Sequence, residues 1–203
     1  MIRLKNNLFI IIILNGMLTS LAAEIILDSI DSVTDWNIIQ KDKTQIRWTE
    51  YNGYPICQTI SILPFSVESI SSIIEDVGNY PNVFKRIHRT NVIEKDIVHV
   101  MLDMPFFLSN RDYVIQFRKN KAQSNWEFIF SAVTHKDAPL NKDYVRLVNA
   151  AGKWKLIPMD KNQTSVSYTW NGELLGDFPN FALERAWKTQ GNEIIHWISD
   201  ALE

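Results

Sequence analysis

Cysteine is nearly absent from this 203-residue chain, and a single Cys57 excludes both an internal disulfide and any cysteine-rich zinc site. Glycine and proline are sparse as well, seven of each, which excludes collagen-like and low-complexity sequence. Charge of one sign is also lacking. With 21 basic and 23 acidic residues the net charge is −2, so there is no general basic surplus to carry nucleic acid, and no such partner is expected. Catalytic signatures are missing too: no His-x-x-x-His pair, no Gly-x-Ser-x-Gly elbow, no phosphate-binding glycine loop and no dinucleotide fingerprint. The four histidines, His88, His99, His135 and His196, are scattered, and Cys57 has no base beside it. No catalytic residue, metal or cofactor is expected. No internal repeat stands out, which argues against a solenoid or propeller.

What is present is apolar and aromatic. The chain is 46% hydrophobic with seven Trp, six Tyr and ten Phe, enough to bury a sizeable core. Residues 1–23 read as a secretory leader: Arg3 and Lys5 form the positive n-region, Leu8 to Leu14 the apolar h-region, and Ser20-Leu21-Ala22 a small-residue cleavage triplet. An uncleaved anchor needs roughly 20 apolar residues, and Asn15, Gly16, Thr19 and Ser20 interrupt this run early. Arg3 and Lys5 leave with the leader, so 21 basic residues become 19 against 23 acidic ones. The expectation is a mildly acidic, periplasmic or secreted monomer of one domain, residues 24–203.

Short β-rich runs come first: Trp36 to Gln40, Gln45 to Glu50 and Pro55 to Leu63, parted by turn residues. Ser66 then reads as a helix cap, with Val67, Ile70, Ile74 and Val77 on one helical face. Further strands are expected over Ile93 to Asp103, Asp112 to Lys119, Trp126 to Thr134, Tyr144 to Ala150, Trp154 to Met159 and Ser165 to Trp170. From Asn180 to Leu202, Leu183, Ala186, Trp187, Ile194, Trp197 and Ile198 share a stripe at about 100° per residue. Gln190 is the polar member of that stripe, and Gly191 follows it. The layout predicts an α+β fold with the last helix laid across a curved antiparallel sheet.

Side chains alternate along a strand, so one face can be read from every second residue. Val98, Val100 and Leu102 make one such set; Tyr113, Ile115 and Phe117 a second; Phe128 and Phe130 a third. Val145 with Leu147, Trp154, and Val166 with Tyr168 and Trp170 complete the concave surface, with Trp187, Gln190 and Ile194 facing it from the helix. Tryptophan and tyrosine carry polar tips that usually find partners when buried. Their abundance points to a lined pocket, although the same residues could pack into a solid core.

Leu108-Ser109-Asn110-Arg111-Asp112-Tyr113-Val114 resembles the Ser-Asn-Arg-Asp-aromatic-Val signature of the START (StAR-related lipid-transfer) family. Cys57 to Ile74, Tyr144 to Leu147, Gly152 to Pro158, Thr164 to Trp170 and Gly176-Asp177-Phe178-Pro179 are similar to further stretches of that family, in the same order. The resemblance implies a helix-grip fold: a curved antiparallel sheet wrapped around a long C-terminal helix, enclosing a hydrophobic tunnel. It also implies one bound lipid or similar apolar molecule, for transfer or sequestration, and transient membrane contact. Where sterol-binding relatives carry an acid–arginine pair, this chain has Val100 and Phe117, which implies a less polar tunnel. Arg111, Tyr168 and Gln190 are candidates to orient a headgroup, although the structural alternative for Arg111 is to clamp the start of its strand. Phe178, Phe181 and Ala138-Pro139-Leu140 are candidates for membrane contact, and Gly176 or Gly191 for a hinge. The rival readings are a cyclase-like or hydrolase-like enzyme using the same tunnel, and an interaction module with a filled core.

Overall fold

The computed structural model describes residues 25–105, 108–122 and 125–203, so the leader expected over residues 1–23 lies outside it. The elements in chain order are β1 (Asn37–Lys41), β2 (Thr44–Tyr51), β3 (Tyr54–Leu63), α1 (Val67–Glu75), α2 (Tyr80–Val83), β4 (Ile87–Val92), β5 (Ile97–Leu102), β6 (Asn110–Ala122), β7 (Asn125–Ala132), β8 (Tyr144–Arg146), β9 (Ala151–Pro158), β10 (Thr164–Asn171) and α3 (Leu183–Asp200). The strands join in the order β1-β2-β3-β10-β9-β7-β6-β5-β4, every neighbouring pair antiparallel, and β8 adds to β6 in parallel. The sheet is not closed: β1 and β4 are its edges. With α3 lying over it, this is the sheet and helix that the alternation and the final amphipathic stripe predict, and the helix-grip architecture that the resemblance implies.

Local chemistry explains the elements. Asn52 and Gly53 both take positive φ, 54° and 81°, so the two-residue turn matches the twist of the β2–β3 hairpin. The Ser66 hydroxyl accepts from the Ser69 amide at 3.2 Å and caps α1, which buries Val67, Ile70 and Ile74. In α3 the buried positions are Trp187, Gly191, Ile194, Ile195, Trp197 and Ile198. Gly191 sits where the helix passes close to β2 and β3. A Cβ there would come within 2.9 Å of Ile46 and 3.3 Å of Thr59, so glycine lets the helix cross β2 and β3 closely, and the Thr59 hydroxyl donates to the Gly191 carbonyl at 3.3 Å.

Two strands differ from the expectation. β4 carries the polar run His88-Arg89-Thr90-Asn91 at an edge, where alternation has no core face to report. The strand expected over Tyr144 to Ala150 stops at Arg146, because Val148 and Ala150 donate back to Arg146 and Leu147 and turn the chain. On the outer face, Ile25, Leu27 and Ile30 pack with Ile56 and Ala151, so the residues just after the expected leader strap the sheet from behind. Lys153, only 3% exposed on its side chain, is neutralised there by Asp31 at 3.0 Å and Glu127 at 3.1 Å.

Candidate functional site

A cavity of about 340 Å³ lies between the inner face of the sheet and α3. This answers the question that alternation leaves open, since an apolar sheet face under a helix can be filled or hollow. The volume is near the lower end of the range for sites that enclose one small molecule. Among the expected ligand-binding residues, Leu102, Tyr113, Ile115, Phe117, Phe130, Leu147, Trp154, Tyr168 and Trp170 line it from the sheet side, and Gln190 and Ile194 from the helix. Trp154, Tyr168 and Trp170 form a continuous stack, with ring centroids 4.1 Å and then 5.2 Å apart. Phe117 packs on Phe130 at 5.4 Å.

Seven other expected residues do not border the space. Phe128 and Val166 face inward, but near the end of the sheet that α1 covers: Lys119 lies over the Phe128 ring and pairs with Glu75 of α1. Val98 and Val100 pair with Ile115 and Tyr113 and are fully buried in the solid cluster that includes Val83 of α2. Val145 leans on the backbone of Gly176, where a Cβ would lie 2.9 Å from it. Trp187 plugs the β2–β3 side, donating its indole N–H to the Gly172 carbonyl at 2.9 Å and packing 5.4 Å from Trp48.

Arg111 is the seventh, and its role is structural. Its side chain has no exposure, and its guanidinium donates to the carbonyls of Ser109, Leu174 and Leu175 and to Asp177. This clamp ties the start of β6 to the loop between β10 and α3, where Leu175 and Gly176 both hold positive φ. The Ser109 amide and then the Arg111 guanidinium hold the Asp177 carboxyl below its ordinary range. Next to it, Asp112 points to the outer face. His99 Nε2 lies 2.7 Å from it, and Arg146 makes two contacts of 2.8 and 2.7 Å while also donating to the carbonyls of Ala138 and Pro139. Ala138 is therefore buried and does not offer itself to a membrane, whereas Leu140 is exposed.

Burial alone would raise the Asp112 pKa, but the hydrogen bonds from Arg146 and His99 outweigh it and the net shift is downward. A carboxylate with a depressed folded-state pKa stabilises fully above its unfolded value, and that contribution is lost as pH falls through the folded value. Urea midpoints are thus expected to drop between about pH 5 and pH 2, with a shallower drop in Asp112→Asn at equal ionic strength. Parallel curves for the two proteins would remove Asp112 from the acid response.

Several lining residues carried no readable signal. Tyr80 and Phe84 come from the single turn of α2, too short for a helical period. Asn149 and Glu173 come from loops and Asn171 from the last residue of β10, and the two amides donate to the Glu173 carboxylate at 3.1 and 3.0 Å. Arg86 lines the space from the segment before β4, held in a two-pronged pair with Glu193 of α3 at 2.6 and 2.8 Å. Arg185, exposed on α3, also borders the rim. Phe178 is half-buried at the mouth, and Phe181 beside it is 93% exposed.

Comparison with models of protein families and with curated protein sequences finds no match. Solved structures do match. A STAR-related lipid transfer protein from Xanthomonas axonopodis superposes with a TM-score of 0.72 at 18% identity, covering 83% of this chain and 99% of that one. Human StAR-related lipid transfer protein 5 gives 0.74 at 13% identity, covering 82% and 85%. The Zhui aromatase/cyclase from Streptomyces sp. R1128 gives 0.51 at 13%, covering 72% and 92%. The chain has the START fold.

Proposed function

We propose that this protein is an exported carrier that holds one apolar molecule between the sheet and α3 and shields it from water. The observation that carries this reading is the cavity of about 340 Å³, walled by aromatic rings and bordered by Phe178, Ala182 and Arg185 around the start of α3. Each methylene moved into water costs about 0.8 kcal/mol, so a twelve-carbon chain opposes desorption by roughly 9 kcal/mol. Burial among Phe117, Phe130, Trp154 and Tyr168 offsets that cost. A cavity near the lower end of the small-molecule range favours a single-chain or compact ring ligand. Phe181, fully presented beside the mouth, is the side chain placed to enter a bilayer surface during loading. The leader at residues 1–23 directs the carrier to the periplasm or outside the cell.

An aromatase or cyclase shares the fold, so fold alone does not select the carrier. The titratable groups deep in the cavity do favour it. Tyr80, Tyr113 and Tyr168 have their phenol pKa values pushed up by burial, away from the range in which general acid–base catalysis works well. Protein purified from its export compartment is expected to yield one apolar molecule per chain by native mass spectrometry and solvent extraction. Repeatedly empty protein that also takes up no fluorescent hydrocarbon would overturn the carrier, and release of a chemically altered ligand would replace it with the enzyme.

A further inference from the structure

The cavity is apolar in area but not in every atom. Tyr113 and Tyr168 both line it, and neither hydroxyl has a hydrogen-bond partner among the described residues. Tyr80, the third phenol nearby, is already used: its hydroxyl donates to the Ile74 carbonyl at 2.7 Å. Trp170, stacked on Tyr168, has its indole Nε1 buried with no partner among the described residues. Leaving buried donors unpaired is costly, and an unpaired group beside a cavity is where a ligand is received.

The charges around the space are arranged differently. Arg86 is committed to Glu193, Glu173 to Asn149 and Asn171, and Asp103 accepts from His88 and Asn110 at the surface. Arg185 stands at the exposed rim of α3. Among the described residues, the only cations lining the cavity are thus Arg86, which is paired, and Arg185, which is exposed. An ionised headgroup placed beside Tyr113 and Tyr168 would be desolvated without compensation, whereas a neutral oxygen would be met by two phenol donors that stay protonated across the biological pH range.

We propose that the ligand is an uncharged apolar molecule bearing an oxygen acceptor, an alcohol, ester or ketone, which enters oxygen-first and is received by the hydroxyls of Tyr113 and Tyr168. The assignment rests on the carrier reading and sharpens it to a ligand class.

The test is competition against a pyrene-labelled hydrocarbon with four probes of equal chain length: dodecane, dodecanol, methyl laurate and sodium laurate at pH 8. Two hydrogen bonds give dodecanol and methyl laurate an expected advantage of about tenfold over dodecane, and laurate is expected to bind more weakly than either. The double variant Tyr113→Phe/Tyr168→Phe should keep dodecane affinity and lose the tenfold preference. Equal or tighter binding of laurate overturns the proposal, as does a preference unchanged by the double variant in a protein with an unchanged thermal melt. If the variant fails to fold, the ranking of the four probes on the native protein decides by itself. Dodecane uptake without any ranking defeats the ligand class alone, while no uptake of any probe defeats the carrier reading beneath it.

Discussion

Replacing Arg111 by methionine is expected to lower the unfolding free energy by about 3–5 kcal/mol, since a fully buried guanidinium that donates to three backbone carbonyls is removed and hydrogen bonds to charged groups are worth about 1.5–3 kcal/mol each. Methionine matches the apolar stem, so the loss isolates the guanidinium. Without it the part-buried carbonyls of Ser109, Leu174 and Leu175 lose their charged donor, and any that water does not reach costs about 1–3 kcal/mol. Leu175 adds to the effect. Its φ of 49° costs a non-glycine residue roughly 1–2 kcal/mol, and the Arg111 contact to its carbonyl at 2.8 Å helps to hold it there. The contact to Asp177 contributes least, since that carboxylate is open to solvent. Lysine is not expected to rescue the protein, because one ammonium cannot reproduce the planar fork that meets four acceptors. Guanidinium chloride denaturation of the native protein, Arg111→Met and Arg111→Lys measures this. A loss under about 1 kcal/mol with ligand uptake abolished would reverse the assignment and return Arg111 to the binding residues.

Arg111 also marks where sequence reasoning stops. Its position on the Tyr113–Ile115–Phe117 face follows from period two, but whether its tip meets a ligand or a loop depends on the course of residues 172–178, which no local pattern reports. The strands bearing the aromatic stack and the terminal helix were legible because burial on one face forces alternation or a helical stripe. β4 was not, being a polar edge, and β8 was legible only at its start, since the chain turns after Arg146. The same distinction runs through the site. Period two correctly turns Phe128, Val166, Val98 and Val100 inward, yet these residues touch packed protein, because the space over them is taken by α1, α2 or neighbouring core. Which inward residues border a void is a property of the whole packing. The rim groups Asn149 and Glu173 are set by loops and lie beyond any periodicity, and Asn171 stands at the very end of its strand.

Obstructing the void is expected to separate binding from stability. Ala186 faces the cavity from α3, one turn before Gln190. In Ala186→Phe a benzyl group projects into a space of about 340 Å³, taking a large share of the room that a hydrocarbon needs. Uptake of a pyrene-labelled hydrocarbon should fall at least tenfold, equivalent to about 1.4 kcal/mol. Stability should move the other way or not at all. Burying a phenylalanine contributes about 1.5–3 kcal/mol, and a cavity wall gains dispersion contacts that it lacks when empty. Overpacking costs about 1–3 kcal/mol where the surroundings are already tight, so the sign of the stability change reports whether room existed. Weaker uptake with an unchanged or raised melting temperature is the signature of a hollow that binds. Unchanged uptake would place the ligand elsewhere on the molecule. A matching loss of both would mean that α3 packs against the sheet with no space to fill, and the carrier would have nowhere to hold its cargo.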